Sequence, residues 1–569
     1  MRSKLLGVRS LELLRSAAAA VASWSSFTTT PTKTKQLHAL LITTSILSLN
    51  HPITTTNLLR SYVSHNDLPS AHRLFDRCPN RTTLLWNSII RAYARLRQFP
   101  VAYTLFDQMR HSAGSRPDCY TFACVLRACA ENSDADGADM IHAVVLSTGL
   151  GSDLIVATAL VNSYSKLGRI NNARIVFDQL HAPDLVLWNS IIAGYGYGGF
   201  WQEGLELFRR MRETDKESDG YTIVALVSCF CSSSVLRFAK GVHGLCLKGG
   251  YDDNSYVRSA LVSMYSRCRF MDMAYQIFRC MNQPDLVTWS AIISGFSQAG
   301  QYKEALTLLG EMTSSGKRPD AILVACALSA CASIAAARPG KEIHCYSLRT
   351  GIHLDHAVSC SLIDMYSKCG FTDSGYLAFE LMPEKNVIAH NVVISNLGSH
   401  GFFNRAFFIF ERMLKGGYQP DAATFSALLC ACCHSGLLDE GLKFFNRMKD
   451  QFGIEAQMEH YVYMVKLLAM AGKLKDAYDL IHAMPMPADS GVWGALLWGC
   501  NIHGNLDMGR VVAEKLFEIH PDKTAYRVML SNIYAAEKKW EVVESLRERI
   551  KVGGLQKSPG SSWIGGDVI

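Results

Sequence analysis

Apolar side chains return at helical intervals along residues 185–211. Ile191, Ile192 and Tyr195 share one face of a predicted helix, and Gly198-Gly199 then breaks it. Leu207, Phe208 and Met211 give the next helix a second apolar stripe. Each helix is only about three turns long, too short to be stable alone in water. Each can bury its stripe only against a neighbour, so the pattern predicts helix–turn–helix pairs stacked one on another.

The same pattern recurs along the chain. Trp86-Asn87-Ser88-Ile89-Ile90 returns as Trp188-Asn189-Ser190-Ile191-Ile192, as Trp289-Ser290-Ala291-Ile292-Ile293 and as His390-Asn391-Val392-Val393-Ile394, at spacings of 102, 101 and 101 residues. His142, His243 and His344 lie 101 residues apart, and Cys129, Cys229, Cys331 and Cys432 keep nearly the same step. Three independent markers with one period predict an all-α repeat array.

Composition narrows the function classes. The chain has 569 residues, too many for one compact core and suited to several domains or an array. Apolar residues make up 49% and charged residues 19%, which excludes global disorder. Eighteen cysteines are too sparse for a secreted disulfide scaffold. No uninterrupted apolar run reaches the length of a membrane span. The net charge is +7. Residues 1–35 hold Arg2, Lys4, Arg9, Arg15, Lys33 and Lys35 against Glu12, a net +5, and leave +2 for the rest. The body is therefore not a polycation held to nucleic acid mainly by counterion release. The leading segment, rich in Arg, Ser, Thr and Ala, has the composition of an organellar transit peptide, with a disordered tail or a secretory signal as the rival readings, and with mitochondrion preferred and chloroplast the alternative.

Three features look like chemistry and read as structure. Cys430-Ala431-Cys432-Cys433-His434 resembles a metal site, but the periodic cysteines make Cys432 a small core residue. The Trp86, Trp188 and Trp289 series is expected in the core, and the periodic histidines are expected to be structural. No histidine is followed two residues later by glutamate, so the H-x-E of a zinc deaminase is missing. No Walker-type loop or G-x-S-x-G is present, and no enzyme, cofactor or metal is expected.

Each 101-residue period divides into units of about 35, 35 and 31 residues, and here the chain resembles the PLS subclass of plant pentatricopeptide repeat (PPR) proteins. The resemblance rests on Met-Pro motif endings, Tyr366-Ser367-Lys368-Cys369-Gly370, and Ala-Cys pairs in the long motifs. Standard motifs fall at 83–118, 185–219, 286–320 and 387–421. Long motifs fall at 119–153, 220–254, 321–355 and 422–457, and short ones at 52–82, 154–184, 255–285, 356–386 and 458–489. A long-type remnant with Gln36-Leu37-His38 precedes them, so the array spans 36–489. Residues 490–569, with Val492–Leu497, Leu530–Ala535 and Pro559–Ile564, resemble the E extension and should add two helical pairs. The sequence stops five residues after Ile564, so a DYW deaminase-like domain is not expected in it.

The resemblance implies a right-handed superhelical solenoid of roughly 14–15 hairpins that binds single-stranded RNA. The family reads one base per motif with the fifth and last residues. Asn87 with Asp118, Asn189 with Asp219, and Asn391 with Asp421 should favour uridine. Thr158 with Asp184, Ser259 with Asp285, and Ser290 with Asp320 should favour guanosine. Ala123, Val224 and Ala325 stand fifth in long motifs and can neither donate nor accept. Cys360 with Asn386 and Thr56 with Thr82 depart from the code and receive no base. The implied target is 5′-UnGUnGGnnU-3′. Second-position Ile155, Val186, Tyr221, Tyr256, Val287 and Ile388 are expected to flank bases. Arg95, Lys166, Arg267 and Lys368, at position thirteen, are expected at phosphates, with a solvated surface as the alternative. The resemblance also implies C-to-U editing, with a DYW-type deaminase and other editing factors recruited in trans through the E region. A splicing or stability role is the alternative, and a tetratricopeptide-like protein-binding scaffold is less consistent with the 35/35/31 alternation.

Overall fold

The computed structural model describes residues 30–43, 52–112, 114–214, 216–230, 232–520 and 523–552. The described residues form 31 α-helices and three short 3-10 turns, with no strand. The expected leader falls on residues 1–35, of which 1–29 lie outside the described residues. A helix over Pro31–Thr43 begins inside that segment and buries Thr34, Leu37 and Leu41. Pro559–Ile564 also lie outside the described residues.

The unequal motif lengths have a simple origin. First helices are mostly thirteen residues, as in Thr83–Arg95, Leu154–Lys166 and Leu185–Tyr197. The second helices of standard motifs match them, as in Trp201–Glu213. In short motifs the second helix loses about one turn, to nine residues in Ile170–Asp178, Met271–Arg279 and Thr372–Glu380. One long motif departs from its peers: Gly220–Ser228 stops at nine residues where Cys119–Glu131 runs to thirteen. The residues around that stop are weak helix formers, and the hydroxyls of Ser228 and Ser232 bond nearby backbone groups, the Ala225 carbonyl and the Ser234 N–H.

The chain divides into two compact units, residues 1–288 and 289–569. In the first, Trp86 packs edge-on against Phe75 at 4.7 Å, and Trp188 repeats this against Phe177 at 4.7 Å. Both indoles are buried, as the sequence suggested. In the second, His390 takes the tryptophan's place and meets Phe379 edge-on at 5.1 Å. Each contact ties the second helix of a short motif to the first helix of the next.

The periodic histidines make a different tie. His142, His243 and His344 meet the hydroxyls of Tyr164, Tyr265 and Tyr366 at 3.0, 2.9 and 2.8 Å. His38 of the long-type remnant meets Tyr62 in the same way at 2.8 Å. Each joins the second helix of a long motif to the first helix of the following short one. Burial is the main cause that lowers the proton affinity of all four imidazoles. Cys129, Cys229, Cys331 and Cys432 are buried, and burial pushes the Cys331 and Cys432 thiols up to about 12. Among the described residues no group of three or more His, Cys, Asp or Glu is placed to hold a metal ion. None of the described helices is long and apolar enough to cross a membrane.

In the second unit, residues 490–552 form two further hairpins, Ser490–His503 with Leu506–Ile519 and Thr524–Ala536 with Trp540–Val552. Their core is continuous with the last short motif: Val465 and Ile481 cluster with Trp493, Leu496, Val512, Leu516 and Ile533.

Candidate nucleic-acid interface

The polar pairs begin as helix caps. Asp118, Asp184, Asp219, Asp320 and Asp421 each precede a first helix and accept its third backbone N–H, at 2.8–2.9 Å. Asp285 does the same for Thr288 at 2.8 Å. Such caps leave one orphan donor fewer at the helix start. The last residue of one motif is thus the cap of the next.

The fifth residue of the preceding first helix reaches the same carboxylate in some motifs. Asn87 Nδ2 donates to Asp118 Oδ1 at 2.9 Å, and Asn391 Nδ2 donates to Asp421 Oδ1 at 2.9 Å. The Asn189 to Asp219 bond is longer, 3.3 Å. Ser259 stands 3.4 Å from Asp285 Oδ1. No hydrogen bond joins Thr158 to Asp184 or Ser290 to Asp320, although the sequence pairs them. Their aspartates use Oδ1 to cap Leu187 and Leu323, and neither leucine has a hydroxyl to bridge the gap. Burial alone would raise the Asp118 carboxyl, but hydrogen bonds from Asn87 and Thr121 outweigh it and hold the group below the ordinary carboxylate range.

A residue that the sequence reading missed completes the stronger pairs. Thr121, Thr222, Thr288 and Thr424 each lie three residues after the capping aspartate and are fully buried. Thr121 Oγ1 donates to Asn87 Oδ1 at 2.6 Å, and Thr424 Oγ1 to Asn391 Oδ1 at 2.7 Å. Thr288 Oγ1 reaches Ser259 Oγ at 2.8 Å. The available signal was the recurring Asp-x-x-Thr of a capping box.

Around these pairs stands a row of exposed apolar side chains. Ile155, Val186, Tyr221, Tyr256, Val287 and Ile388 are 39–64% exposed, which costs hydration free energy in the free chain. Leu84, Tyr120 and Ile322 hold equivalent second positions, are also exposed and were not singled out from the sequence. Tyr221 and Tyr256 do not stand apart around a vacant slot. Their rings stack on each other with centroids 4.9 Å apart and planes at 22°. Two rings flanking a base would need about two stacking distances, so this pair must separate before a base enters between them.

Within the first unit, Ile155, Thr158, Lys166, Val186, Asn189, Asp219 and Tyr221 line one groove of about 930 Å³, together with Ala123 and Val224. Leu84, Asn87, Arg95, Asp118 and Tyr120 line another of about 630 Å³, flanked by Arg60 and Arg91. Arg95, Lys166, Arg267 and Lys368 are all the last residues of first helices, where a cation also complements the helix dipole. Lys368 forms an ion pair with Asp364 at 2.9 Å. Of the pairs given no base, Thr82 and Asn386 serve as caps for Leu85 and Ala389, while Thr56 is buried and Cys360 half-buried.

This architecture defines a solenoid of two-helix repeats, most of them capped by the last residue of the motif before. The chain belongs to the pentatricopeptide repeat proteins. Residues 81–131, 284–332 and 385–434 match the PPR repeat family. Residues 155–182, 186–214, 256–283, 358–387 and 423–451 match the PPR repeat, and residues 503–565 match the E motif. The chain is 46% identical to the pentatricopeptide repeat-containing protein At1g64310 of Arabidopsis thaliana over 532 residues, 93% of this chain and 96% of that relative. It is 36% identical to the chloroplastic pentatricopeptide repeat-containing protein DOT4 of the same plant, across 88% of this chain and 69% of the relative. It is 34% identical to the mitochondrial relative At2g03380, also from Arabidopsis thaliana, across 93% and 76%. The crystal structure of the pentatricopeptide repeat protein PPR10 from maize shares the fold, with a TM-score of 0.52 and 16% identity over 91% of this chain and 76% of that one.

Proposed function

We propose that the chain is a sequence-specific single-stranded RNA-binding protein of an organelle, with no catalytic step of its own. The observation that carries this reading is the recurrence of one polar pair in one register, Asn87–Asp118, Asn189–Asp219 and Asn391–Asp421, beside exposed apolar side chains. A first helix offers an amide that both donates and accepts, and its neighbour's cap offers a carboxylate that accepts. Such a pair suits the hydrogen-bonding edge of an unstacked base, while Val186 or Ile388 suits its face. Each pair should discriminate between its pyrimidine or purine and a base of the other size by about 1–3 kcal/mol on the scale of good base contacts. Read in motif order, the RNA is 5′-UnGUnGGnnU-3′. Arg95, Lys166, Arg267 and Lys368 contact phosphates in this account, Lys368 by exchanging Asp364 for RNA.

The match of residues 503–565 to the E motif supports a role as a site-recognition factor for C-to-U editing that recruits a deaminase in trans. The names of the mitochondrial and chloroplastic relatives support an organellar address, with the mitochondrion preferred on the composition of the leading segment. Comparing organellar cDNA with genomic DNA in a loss-of-function plant tests the editing role. A site that stays C in the mutant cDNA and becomes U in wild type supports it. Unchanged editing with altered splicing or transcript abundance would replace it by the alternative role.

A further inference from the structure

We infer that Thr121 and Thr424, each belonging to the motif after the pair it touches, are positioning residues that make the preceding asparagine strict for uridine over cytidine. The inference rests on the base-reading role proposed above. Asn87 is held at both ends: its Oδ1 accepts from the Thr121 hydroxyl at 2.6 Å and its Nδ2 donates to Asp118 Oδ1 at 2.9 Å. Asn391 is held likewise by Thr424 and Asp421, at 2.7 and 2.9 Å.

The proton count supports this assignment. The Thr121 hydroxyl has one proton and two acceptors in reach, Asn87 Oδ1 and, at 2.8 Å, Asp118 Oδ1. The aspartate oxygen already receives the Thr121 N–H and the Asn87 amide. The hydroxyl proton therefore goes to the asparagine oxygen, which has no donor of its own to offer. Turning the amide over would set its carbonyl against a carboxylate. The held amide keeps one N–H free for a ligand, and that group is a donor.

Asn189 is the natural contrast. Thr222 bonds Asp219 at 2.9 Å and the Asn189 amide reaches the same oxygen only at 3.3 Å. Asn189 Oδ1 is buried with no hydrogen-bond partner. With its oxygen unpartnered and its amide only loosely held, this side chain can swing away from Asp219 and present either its donor or its acceptor. Uracil offers the O4 acceptor where cytosine offers the N4 amino donor. A held donor fits the first and opposes the second, and an amide that turns accommodates both. The code residue alone therefore does not fix the strictness of a motif; the third residue of the following motif does.

The test uses the full chain and 5′-UAGUAGGAAU-3′, with single U-to-C changes at its first, fourth and tenth nucleotides. Wild type should prefer U over C by about tenfold at the first and tenth and by less than about threefold at the fourth. Thr121→Val should bring the first-nucleotide ratio down to that of the fourth and leave the tenth unchanged. Thr121→Ser should restore it, and Thr222→Val should leave the fourth as it was. Retention of the tenfold ratio in Thr121→Val overturns the inference, as does an equal loss of affinity for every RNA, the mark of a merely structural cap. Should Thr121→Val fail to fold, Thr424→Val at the tenth nucleotide asks the same question. A wild-type chain with no preference at any of the three nucleotides would instead remove the base-reading proposal itself.

Discussion

The motifs at 83–118 and 154–184 carry the same kind of polar pair in different surroundings. In the first, Asn87, Asp118 and Thr121 form a closed network in which Asp118 Oδ1 receives bonds from both neighbours. In the second, Thr158 and Asp184 stay apart, and fully buried Leu187 occupies the place that Thr121 holds. The choice at that place is between a hydroxyl that serves cap and pair together and an isobutyl group that serves the core. A buried network is costly to break, because each group left without its partner pays its own desolvation. The open pair has less to lose.

The largest expected effect follows from that asymmetry. Asp118→Ala removes a cap and leaves the Asn87 amide with one partner fewer, so it should destabilise the chain by about 3 kcal/mol. Asp184→Ala removes only a cap and should cost about 1 kcal/mol. Hydrogen exchange of Thr121 and Leu187 amides in the full chain measures both locally, and equal losses would break the comparison. A smaller effect separates the second positions. Tyr221→Ala dissolves the stack with Tyr256 and should cost about 0.5–1.5 kcal/mol, whereas Val186→Ala, at an exposed site, should change stability by less than about 0.5 kcal/mol. Matching melting temperatures for the two variants would mean that the tyrosine stack contributes nothing.

Acid gives the smallest handle and acts on the 154–184 motif. Burial lowers the proton affinity of His142, with nearby Asp139 partly opposing, while the imidazole holds the Tyr164 hydroxyl. On acidification the unfolded chain takes up the proton before the folded one does. The contribution of this contact is therefore full above the ordinary imidazole value of 6.5 and falls as pH drops below it. Melting curves at pH 7.5 and 5.5 should show a loss that His142→Asn reduces. An unchanged difference in that variant would assign the pH effect elsewhere.

Much of this arrangement was legible in the residues. The 101-residue markers are the tryptophan and histidine contacts that join one hairpin to the next, together with the buried cysteines, and packing repeats wherever the fold does. The capping aspartates were visible as motif endings. What escaped was the particular geometry of side chains that repeat spacing does not carry. The Asp-x-x-Thr box is local, but the reach of Thr121 back to Asn87 crosses a motif boundary. The stacking of Tyr221 on Tyr256 depends on how close two successive first helices approach, and periodicity carries no distance. The pairing of Lys368 with Asp364 is an i,i+4 ion pair that a motif-by-motif reading passes over.

The central claim is that the fifth and last residues together choose a base. Equilibrium binding of the full chain to 5′-UAGUAGGAAU-3′, against the same RNA with every designated U and G exchanged, tests it most directly. The account predicts that the exchanged RNA binds at least about a hundredfold more weakly, since several positions each contribute 1–3 kcal/mol of discrimination. Equal affinity for the two RNAs at the same salt concentration would contradict it.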